Sequence, residues 1–325
     1  MNINTIDSKI LKELLKDGRK SFIDIATECG VTKNIIWKRY KTMEKKGIIT
    51  GATIQMNFAS FGCEALATLL ISVEAQQIDN AMEYIGKITE VRAYRQYNSI
   101  YNIRAVTTLK NLKELDQVKG AIRLHLPMIG LKTYIWTDVK NIPENLKLTS
   151  STQEEKGNNT HSLQAPAHPH TEGNKIDELD LRIVEKLASD GQAPFSEIAQ
   201  KVGTSTDTVV KRYHKLKNSN AIKVSVQIDP NKIGYHAILD FNLSFTSSGN
   251  LSEIIESLAK IPDIIIITKT SGDYDLQVTA MIRDVDQMFT IQDEISRTTG
   301  VTKIEGSMRK IPTRWPTALQ YISTF

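Results

Sequence analysis

Residues 6–30 read IDSKILKELLKDGRKSFIDIATECG, and residues 179–203 read LDLRIVEKLASDGQAPFSEIAQKVG. The two stretches align without a gap at a spacing of 173 residues, and the same spacing returns farther along the chain. Chance does not hold one spacing over so many identities, so the sequence indicates an internal duplication. The identical pairs are Asp7/Asp180, Ile10/Ile183, Leu14/Leu187, Asp17/Asp190, Gly18/Gly191, Phe22/Phe195, Ile25/Ile198, Ala26/Ala199, Gly30/Gly203, Lys38/Lys211, Arg39/Arg212, Tyr40/Tyr213, Ile88/Ile261 and Tyr101/Tyr274.

Length and composition indicate a globular protein of several domains. The chain has 325 residues, of which 40% are hydrophobic, and its net charge is +4. Its apolar runs are far shorter than the roughly 20 residues that cross a bilayer, and its first residues do not resemble a signal peptide. Cys29 and Cys63 are too few for a disulfide framework or a four-cysteine zinc site. We therefore expect a soluble, cytoplasmic protein without a membrane partner.

The segment between the copies, SSTQEEKGNNTHSLQAPAHPHTEGN, offers almost nothing to a hydrophobic core and is typical of a disordered linker. His161, His168 and His170 lie in it as weak candidate metal ligands, but a solvated linker is favoured and we predict neither a metal site nor a cofactor. The predicted domains are a winged helix-turn-helix at 1–54, a ferredoxin-like domain at 60–147, a linker at 148–175, a second winged helix-turn-helix at 176–227 and a second ferredoxin-like domain at 232–325.

The first part of each copy has the pattern of three helices. Apolar residues from Ile10 to Leu15 recur at helical spacing, a short helix follows over about residues 21–28, and Gly30 supplies the turn. Thr32 is a candidate N-cap of the third helix, and Ser205 is its counterpart. The residues expected inside are Ile36, Tyr40 and Met43 in the first copy and Val209, Tyr213 and Leu216 in the second.

The outer face of the third helix is basic in both copies. A run of charges is usually a solvated helix face, but its position in a helix-turn-helix favours insertion into the major groove of double-stranded DNA. Trp37 is the least certain contact, because an aromatic residue beside a buried face is more often part of the core. The predicted base readers are Lys33, Asn34, Trp37 and Lys38 with Thr206, Asp207, Val210 and Lys211, and the predicted flanking contacts, including phosphates, are Thr32, Arg39, Lys41, Ser205, Arg212 and Lys215.

The second part of each copy predicts the order strand, helix, strand, strand, helix, strand, which is the split βαβ, or ferredoxin-like, plan of an α+β fold. Helices cover one face of such a sheet, so the other face is free to pair with a second sheet. The predicted elements are 66–73, 78–88, 91–96, 103–107, 112–124 and 132–137 in the first copy, and 238–245, 251–259, 264–268, 276–282, 285–298 and 303–309 in the second.

A turn between the middle strands of the second copy reads Ser271-Gly272-Asp273-Tyr274-Asp275. It is either a hairpin turn made of favourable turn residues or a glycine turn whose backbone amides face a small anionic or zwitterionic ligand. The first copy has Asn98-Ser99-Ile100-Tyr101-Asn102 there and lacks the glycine and both acids.

These residues resemble the Lrp/AsnC, or feast/famine, family of transcription regulators. The resemblance covers nearly the whole chain except the linker, although the second copy departs from the family pattern at Gln192, Lys217 and Asn220. The residues that carry it in the first copy are Asp7, Asp17-Gly18-Arg19, Ile25-Ala26, Gly30, Thr32, Arg39-Tyr40, Met43-Glu44 and Gly47-Ile48-Ile49.

The resemblance implies a winged-helix reader joined by a hinge strand to an amino-acid-sensing domain that assembles as dimers and higher oligomers. The family's effector turn resembles Gly272, Asp273, Tyr274 and Asp275, whereas Ser99 and Asn102 depart from it in the first copy. Family members carry one copy per chain. A linker of about 25 residues spans roughly 25–30 Å, which favours pairing of the two copies within one chain. Because the two third helices differ at almost every exposed position, we expect this pair to recognise two unlike half-sites.

Two alternatives belong to other classes of protein. Siroheme decarboxylases resemble this fold and need a porphyrin pocket, for which the candidate residues form no recognisable motif. No catalytic residue is predicted, because nucleophile elbows and phosphate-binding loops are also lacking. The second alternative is a small-molecule sensor or assembly protein with vestigial DNA readers. The residues considered for a porphyrin pocket are His125, His236, Arg92, Arg95 and Arg104.

Overall fold

A computed structural model describes residues 3–88, 91–148, 176–246 and 250–317 of the chain. The predicted linker, with its three histidines, lies outside the described residues except for Leu148, which is buried. No helix in the described ranges is long and apolar enough to cross a membrane.

Each repeat folds in the predicted order of helices and strands, which confirms the α+β class and the βαββαβ plan. The first repeat contains α1 (Thr5–Lys16), α2 (Phe22–Cys29), α3 (Lys33–Lys45), β1 (Ile49–Met56), β2 (Ala65–Val73), α4 (Ile78–Gly86), β3 (Val91–Arg95), β4 (Ile103–Leu109), α5 (Leu112–His125) and β5 (Met128–Asn141). The second contains α6 (Glu178–Ser189), α7 (Phe195–Val202), α8 (Thr206–Asn218), β6 (Ile222–Ile228), β7 (Ala237–Phe245), α9 (Leu251–Leu258), β8 (Ile264–Ser271), β9 (Leu276–Ile282), α10 (Val285–Ser296) and β10 (Val301–Lys310).

The described chain divides into two compact units, and each unit is built from both repeats. The helical unit falls within Met1–Met56, Lys147–Ile233 and Thr313–Phe325, and the sheet unit falls within Asn57–Leu146 and Gly234–Pro312. Corresponding parts of the two repeats therefore fold against each other, so the compact units do not follow the order of the chain.

In the helical unit the two readers, which are the three-helix parts of the repeats, share a two-stranded antiparallel sheet. β1 pairs with β6, and Thr53 lies opposite Ser225. Helix α1 packs on β6 of the other repeat, while α6 packs on β1. The Thr53 hydroxyl donates to the Ala188 carbonyl at 3.0 Å, and the Ser225 hydroxyl donates to the Leu15 carbonyl at 2.9 Å. These reciprocal contacts place a pseudo-twofold axis at the Thr53–Ser225 pair.

A β-bulge explains how the duplicated halves remain symmetric here. The register of β1 against β6 shifts between Ile49 and Gly51. Thr53 and Ser225, which face each other at the axis, are 172 residues apart, whereas Gly18 and Gly191 are 173 apart. One extra residue in β1 thus accommodates the difference, as β-bulges do.

The sheet unit contains eight strands in the order β10-β7-β9-β8-β5-β2-β4-β3. Each repeat contributes four neighbouring strands, and the two halves join where β5 pairs antiparallel with β8. An isolated bridge between Met308 of β10 and Tyr97, two residues beyond the end of β3, also connects the two halves. One face of each half is apolar and is covered by that repeat's helices, with Leu69 and Ile71 buried in one half and Phe241 and Val278 in the other.

Candidate nucleic-acid interface

The third helix of each reader begins at the predicted N-cap residue. Thr32 precedes α3 in an extended conformation, although its side chain makes no capping hydrogen bond. Ser205 precedes α8, and its hydroxyl accepts a hydrogen bond from the Thr208 amide at 3.1 Å. Because a helix enters the major groove through its first turns, these two ends are the parts of the readers that matter for DNA contact.

Helix α3 separates a buried apolar face from an exposed polar face. Ile36, Tyr40 and Met43 are buried, as predicted, and Phe22 of α2 packs on Tyr40 with ring centroids 5.1 Å apart. This packing orients the rest of the helix surface outward. The predicted DNA contacts that are exposed on that surface are Thr32, Lys33, Asn34, Trp37, Lys38 and Lys41.

Trp37 lies on the exposed face of α3. Its residue is 50% exposed, so the interpretation of Trp37 as a core aromatic is wrong. Ile35, two residues earlier, is also 39% exposed. Large apolar side chains on a basic helix suit contact with thymine methyl groups or sugar surfaces.

Helix α8 repeats this arrangement with different surface chemistry. Val209, Tyr213 and Leu216 are buried, and Phe195 packs on Tyr213 with ring centroids 5.0 Å apart. The surface therefore corresponds in position to that of α3 but carries an acid in its first turn. Its residues are Ser205, Thr206, Asp207 and Lys211, all exposed, and Val210, which is half-buried.

Several of the predicted cations are held by acids of their own reader. Arg39 Nη1 lies 3.1 Å from Asp7 Oδ1, which joins α3 to α1. Lys41 Nζ lies 2.6 Å from Glu44 Oε2 on the same helix. Arg39 therefore has a structural role that sequence reasoning missed. The signal was present in the sequence, since Asp7 and Arg39 recur in both copies.

In the second reader the corresponding ion pairs converge on one carboxylate. Asp180 is fully buried, and it contacts Arg212 Nη1 at 3.2 Å and Lys215 Nζ at 2.9 Å. Arg212 also pairs with Asp177, whose pKa is lowered by hydrogen bonds from the Asp180 amide and the Arg212 guanidinium. Because a buried carboxylate needs compensation, Arg212 and Lys215 hold α8 to α6.

Three of the predicted base readers are cations without an acidic partner in the part of the chain that the structure describes. They are Lys33 and Lys38 on α3 and Lys211 on α8, and all three are exposed. An ammonium that is not paired within the protein can neutralise a phosphate at little cost. The first reader has two such cations and the second has one, so their electrostatic surfaces are unequal.

Side chains from equivalent loops cross between the readers. Arg19 donates from Nε to the Gly191 carbonyl at 2.8 Å and from Nη2 to the Ala193 carbonyl at 2.7 Å, with its guanidinium 4.3 Å from the Phe195 ring centroid. Burial lowers the pKa of Arg19, while Tyr213 and nearby carboxylates raise it. These contacts fix the two readers relative to each other.

The crossing contact in the opposite direction uses a different residue. Gln192, the counterpart of Arg19, donates from Nε2 to the Gly18 carbonyl at 2.6 Å and accepts from the Tyr40 hydroxyl at 3.0 Å. Lys217 adds an ion pair with Asp17 at 2.8 Å. Both Gln192 and Lys217 are positions where the second copy departs from the family pattern, so those departures lie at the contact between the readers.

The predicted effector turn joins β8 to β9, which confirms that it is a hairpin turn; its role as a ligand site stays a prediction. Gly272 has φ of +155° and lies so close to β5 that an added Cβ would be 2.8 Å from the Tyr134 ring. Tyr274 is 1% exposed. The Asp275 carboxylate accepts a hydrogen bond from the Phe245 amide at 2.9 Å. Tyr274 is thus packed in the protein interior, and Asp275 is exposed but joins the turn to β7.

Asp273 and Asp275 are both exposed, and Asp273 contacts the first repeat. The Asp273 carboxylate lies 2.9 Å from Lys132 Nζ of the first repeat, and this hydrogen bond raises the pKa of Lys132. Lys303 Nζ lies 4.8 Å from the Tyr274 ring centroid. Burial raises the pKa of Tyr134, beneath the turn, to about 12. The second repeat's turn, with its two acids, is therefore surrounded by two cations and contains or contacts two phenols, some of them from the first repeat.

The residues considered for a porphyrin pocket have separate surroundings. His125 stacks on Tyr84, whose hydroxyl lies 2.8 Å from Nδ1. Arg95 pairs with Asp79 at 3.3 Å, and Arg104 is buried between the repeats. The remaining candidates, Arg92 and His236, are exposed. The described residues contain no group of three or more His, Cys, Asp or Glu side chains that could hold a metal ion.

Comparison with known families agrees with the geometry. Residues 3–50 match a winged helix-turn-helix DNA-binding model, residues 176–217 match the AsnC-type helix-turn-helix domain, and residues 236–309 match the Lrp/AsnC ligand binding domain. A relative from Pyrococcus horikoshii, the HTH-type transcriptional regulator FL11, is 35% identical over 127 residues, which are 39% of this chain and 83% of that protein. The chain belongs to the Lrp/AsnC family. Another relative is LrpA of Pyrococcus horikoshii, 32% identical over 131 residues, or 40% of this chain and 92% of LrpA.

As a member of the Lrp/AsnC family, the chain is a DNA-binding transcription regulator with a ligand-binding domain. Among solved structures, the siroheme decarboxylase NirDL superposes with a TM-score of 0.63 at 14% identity, covering 99% of this chain and 95% of NirDL. At this identity the likeness shows a shared fold alone.

Proposed function

We propose that this Lrp/AsnC regulator binds an asymmetric DNA site with its two unlike readers, held as a pseudo-dimer within one chain. A small effector, such as an amino acid, modulates binding through the ligand-binding folds. The observation that carries the proposal is the shared β1–β6 sheet, which pairs the readers of one chain around a pseudo-twofold axis. Two readers are therefore available without a second chain.

The second support is the difference between the reading surfaces. A symmetric homodimer of a helix-turn-helix protein prefers a palindrome, because its two recognition helices are identical. Here Lys33 and Asn34 of α3 stand where α8 has Thr206 and Asp207, and Trp37 stands where α8 has Val210. The two half-sites should differ accordingly.

The chemistry of these residues suggests how the half-sites differ. Asn34 suits a bidentate contact with adenine, and Lys33 suits guanine acceptors. Asp207 suits the amino group of cytosine, and its charge opposes close approach to phosphate. Trp37 and Val210 suit thymine methyl groups, the tryptophan over a larger surface.

The effector part of the proposal concerns the turn of the second repeat. Asp273 and Lys132 present opposite charges beside the buried Tyr274. A zwitterionic ligand could exchange with this ion pair, since it offers one group to each partner. The first repeat has Ser99 and Asn102 at the positions of Gly272 and Asp275, so effector binding is proposed for the second repeat. Larger homo-oligomers are a further part of the proposal.

The experiment for the DNA part begins with selection of bound sequences from random duplexes by the full-length chain. The selected site is then rebuilt with its halves in the original order, with the first half duplicated and with the second half duplicated. Because each mismatched base pair costs about 1–3 kcal/mol, we expect either duplication to lower affinity at least about tenfold. Equal affinity for the three arrangements would contradict asymmetric reading.

The same purified chain tests the enzyme alternative. We propose a regulator and not a decarboxylase, because His125, Arg95 and Arg104 contact separate partners and the other two candidates are exposed. We expect the absorption spectrum of an added iron tetrapyrrole to be the same with and without the chain. A shifted Soret band together with absent DNA selection would instead support a porphyrin enzyme.

A further inference from the structure

The face of the eight-stranded sheet opposite the helices contains a buried group of charges, here called the charged triad: Arg104, Asp240 and Arg309. Arg309 Nε donates to Asp240 Oδ2 at 2.7 Å, and Arg104 Nη1 lies 4.0 Å from Asp240 Oδ1. Arg104 and Asp240 are 6% and 2% exposed. Arg104 belongs to the first repeat, and the other two belong to the second, so the triad forms across the contact between repeats.

A second group, the neutral triad, consists of Thr68, Trp136 and Gln277. Trp136 Nε1 donates to Thr68 Oγ1 at 2.8 Å, and Thr68 Oγ1 donates to Gln277 Oε1 at 3.0 Å. The contributions of the repeats are reversed relative to the charged triad: Thr68 and Trp136 come from the first repeat, and Gln277 comes from the second. Thr68 and Gln277 are buried.

The two triads are equivalent under the duplication. Arg104 and Gln277 are 173 residues apart, as are Trp136 and Arg309, and Thr68 and Asp240 are 172 apart. The donor to Asp240 is thus the counterpart of the donor to Thr68. Arg104 Nη2 also donates to Gln277 Oε1 at 2.9 Å, so two equivalent residues meet where the triads adjoin. An originally symmetric contact has diverged into one charged and one neutral half.

The charges of the triad determine which repeat can face Arg104. Burial lowers the pKa of Arg104, and Asp240 raises it. Burial raises the pKa of Asp240, but Arg309 and Arg104 lower it below its ordinary value, so the acid stays ionised. An arginine keeps its charge in proteins, so Arg104 needs a carboxylate. Among the described residues of the sheet unit, the buried carboxylate facing it is Asp240, which only the second repeat supplies.

We infer that the two ligand-binding folds pair as unlike partners, in which the sheet face of a first repeat accepts the sheet face of a second repeat and rejects another first repeat. Two first-repeat faces would bring Arg104 against Arg104, with Thr68 where Asp240 now stands. Two buried guanidinium groups would then lack a counterion. This goes beyond the proposed function, because it sets which repeats can pair in any assembly, with or without DNA.

The test uses the full-length chain and thermal unfolding without DNA. Gln277→Arg brings a second buried arginine beside Arg104, and we expect the melting temperature to fall by roughly 10 °C. Thr68→Asp added to this variant rebuilds the counterpart of the Arg104–Asp240 pair, so the double variant should recover at least half of the loss. Gln76→Arg, on the exposed surface, is the control and should change the melting temperature by no more than about 2 °C.

The rescue distinguishes charge pairing from simple crowding. A double variant that recovers less than half of the loss caused by Gln277→Arg would overturn the inference, as would a Gln277→Arg variant as stable as its control. If Gln277→Arg alone does not fold, a folded double variant supports the inference and an unfolded one contradicts it. Since no DNA is present, these outcomes are independent of the half-site experiment.

Discussion

Gly191→Ala is expected to lower the melting temperature of the chain by roughly 10 °C and to weaken DNA binding. An added Cβ at this position would lie 2.7 Å from the Thr53 carbonyl oxygen and 2.9 Å from the Thr53 amide nitrogen. These neighbours are backbone atoms of β1, so relief requires the strand to move away. Forcing extra atoms into such a contact costs about 3 kcal/mol. Because β1 pairs with β6, the displacement separates the readers.

Two further glycine variants serve as an equivalent and as a control for Gly191→Ala. Gly18→Ala should behave like Gly191→Ala, because its Cβ would lie 2.9 Å from the Ser225 carbonyl carbon. Gly120→Ala is the matched control: Gly120 lies within α5, and its Cβ would have no neighbour within 4 Å. Alanine favours helix there, so stability should rise by up to about 1 kcal/mol. Calorimetry of the variants decides, and a Gly191→Ala chain as stable as Gly120→Ala would contradict the close pairing of the readers.

The second large effect is expected from removing one unpaired cation from each third helix. Each phosphate contact contributes about 0.9 to the slope of log affinity against log salt, or about fivefold in affinity near 0.15 M salt. Lys38→Ala and Lys211→Ala should each show this loss, and the double variant should bind roughly 30-fold more weakly. Fluorescence anisotropy with the selected duplex across a salt series measures both quantities.

The control for this experiment removes the same charge elsewhere. Lys87 is the C-cap of α4 and pairs with Glu83 at 2.8 Å on the exposed surface. Lys87→Ala should leave both the affinity and the salt slope unchanged. Equal effects of Lys87→Ala and Lys38→Ala would show that net charge alone attracts the DNA. An unchanged slope in both third-helix variants would move the DNA contact to another surface.

The sequence predicted most elements because their signals are local. The apolar spacing in α1 and α6, the turn glycines Gly30 and Gly203 and the alternation in β9 all depend on neighbours within one element. The strand β5 is an element whose bounds local signals did not predict. It was predicted over 132–137 but spans Met128–Asn141, because pairing with β2 on one side and β8 on the other extends it. Partners distant in sequence supply that extension.

The candidate site divides in the same way. The basic face of α3 could be read from the sequence, since helical spacing separates Lys33 and Lys38 from the buried Ile36. The contact of Arg39 with Asp7 was missed: both residues recur in the two copies, but recurrence does not show which residues of two different helices meet. The exposure of Trp37 also required the structure, since a position beside the buried face is compatible with either environment.

By itself, the sequence determined that the chain is duplicated and that the third helices of the two copies have different surfaces, because duplication and amphipathic spacing are properties of residue order. Tertiary structure alone decided that equivalent parts of the repeats interlock, reader with reader and sheet with sheet. The physical reason lies in contacts between residues about 172 positions apart, such as Thr53 with Ser225 and Arg104 with Gln277. Whether such residues meet depends on burial and charge compensation across the whole fold, which no local pattern encodes.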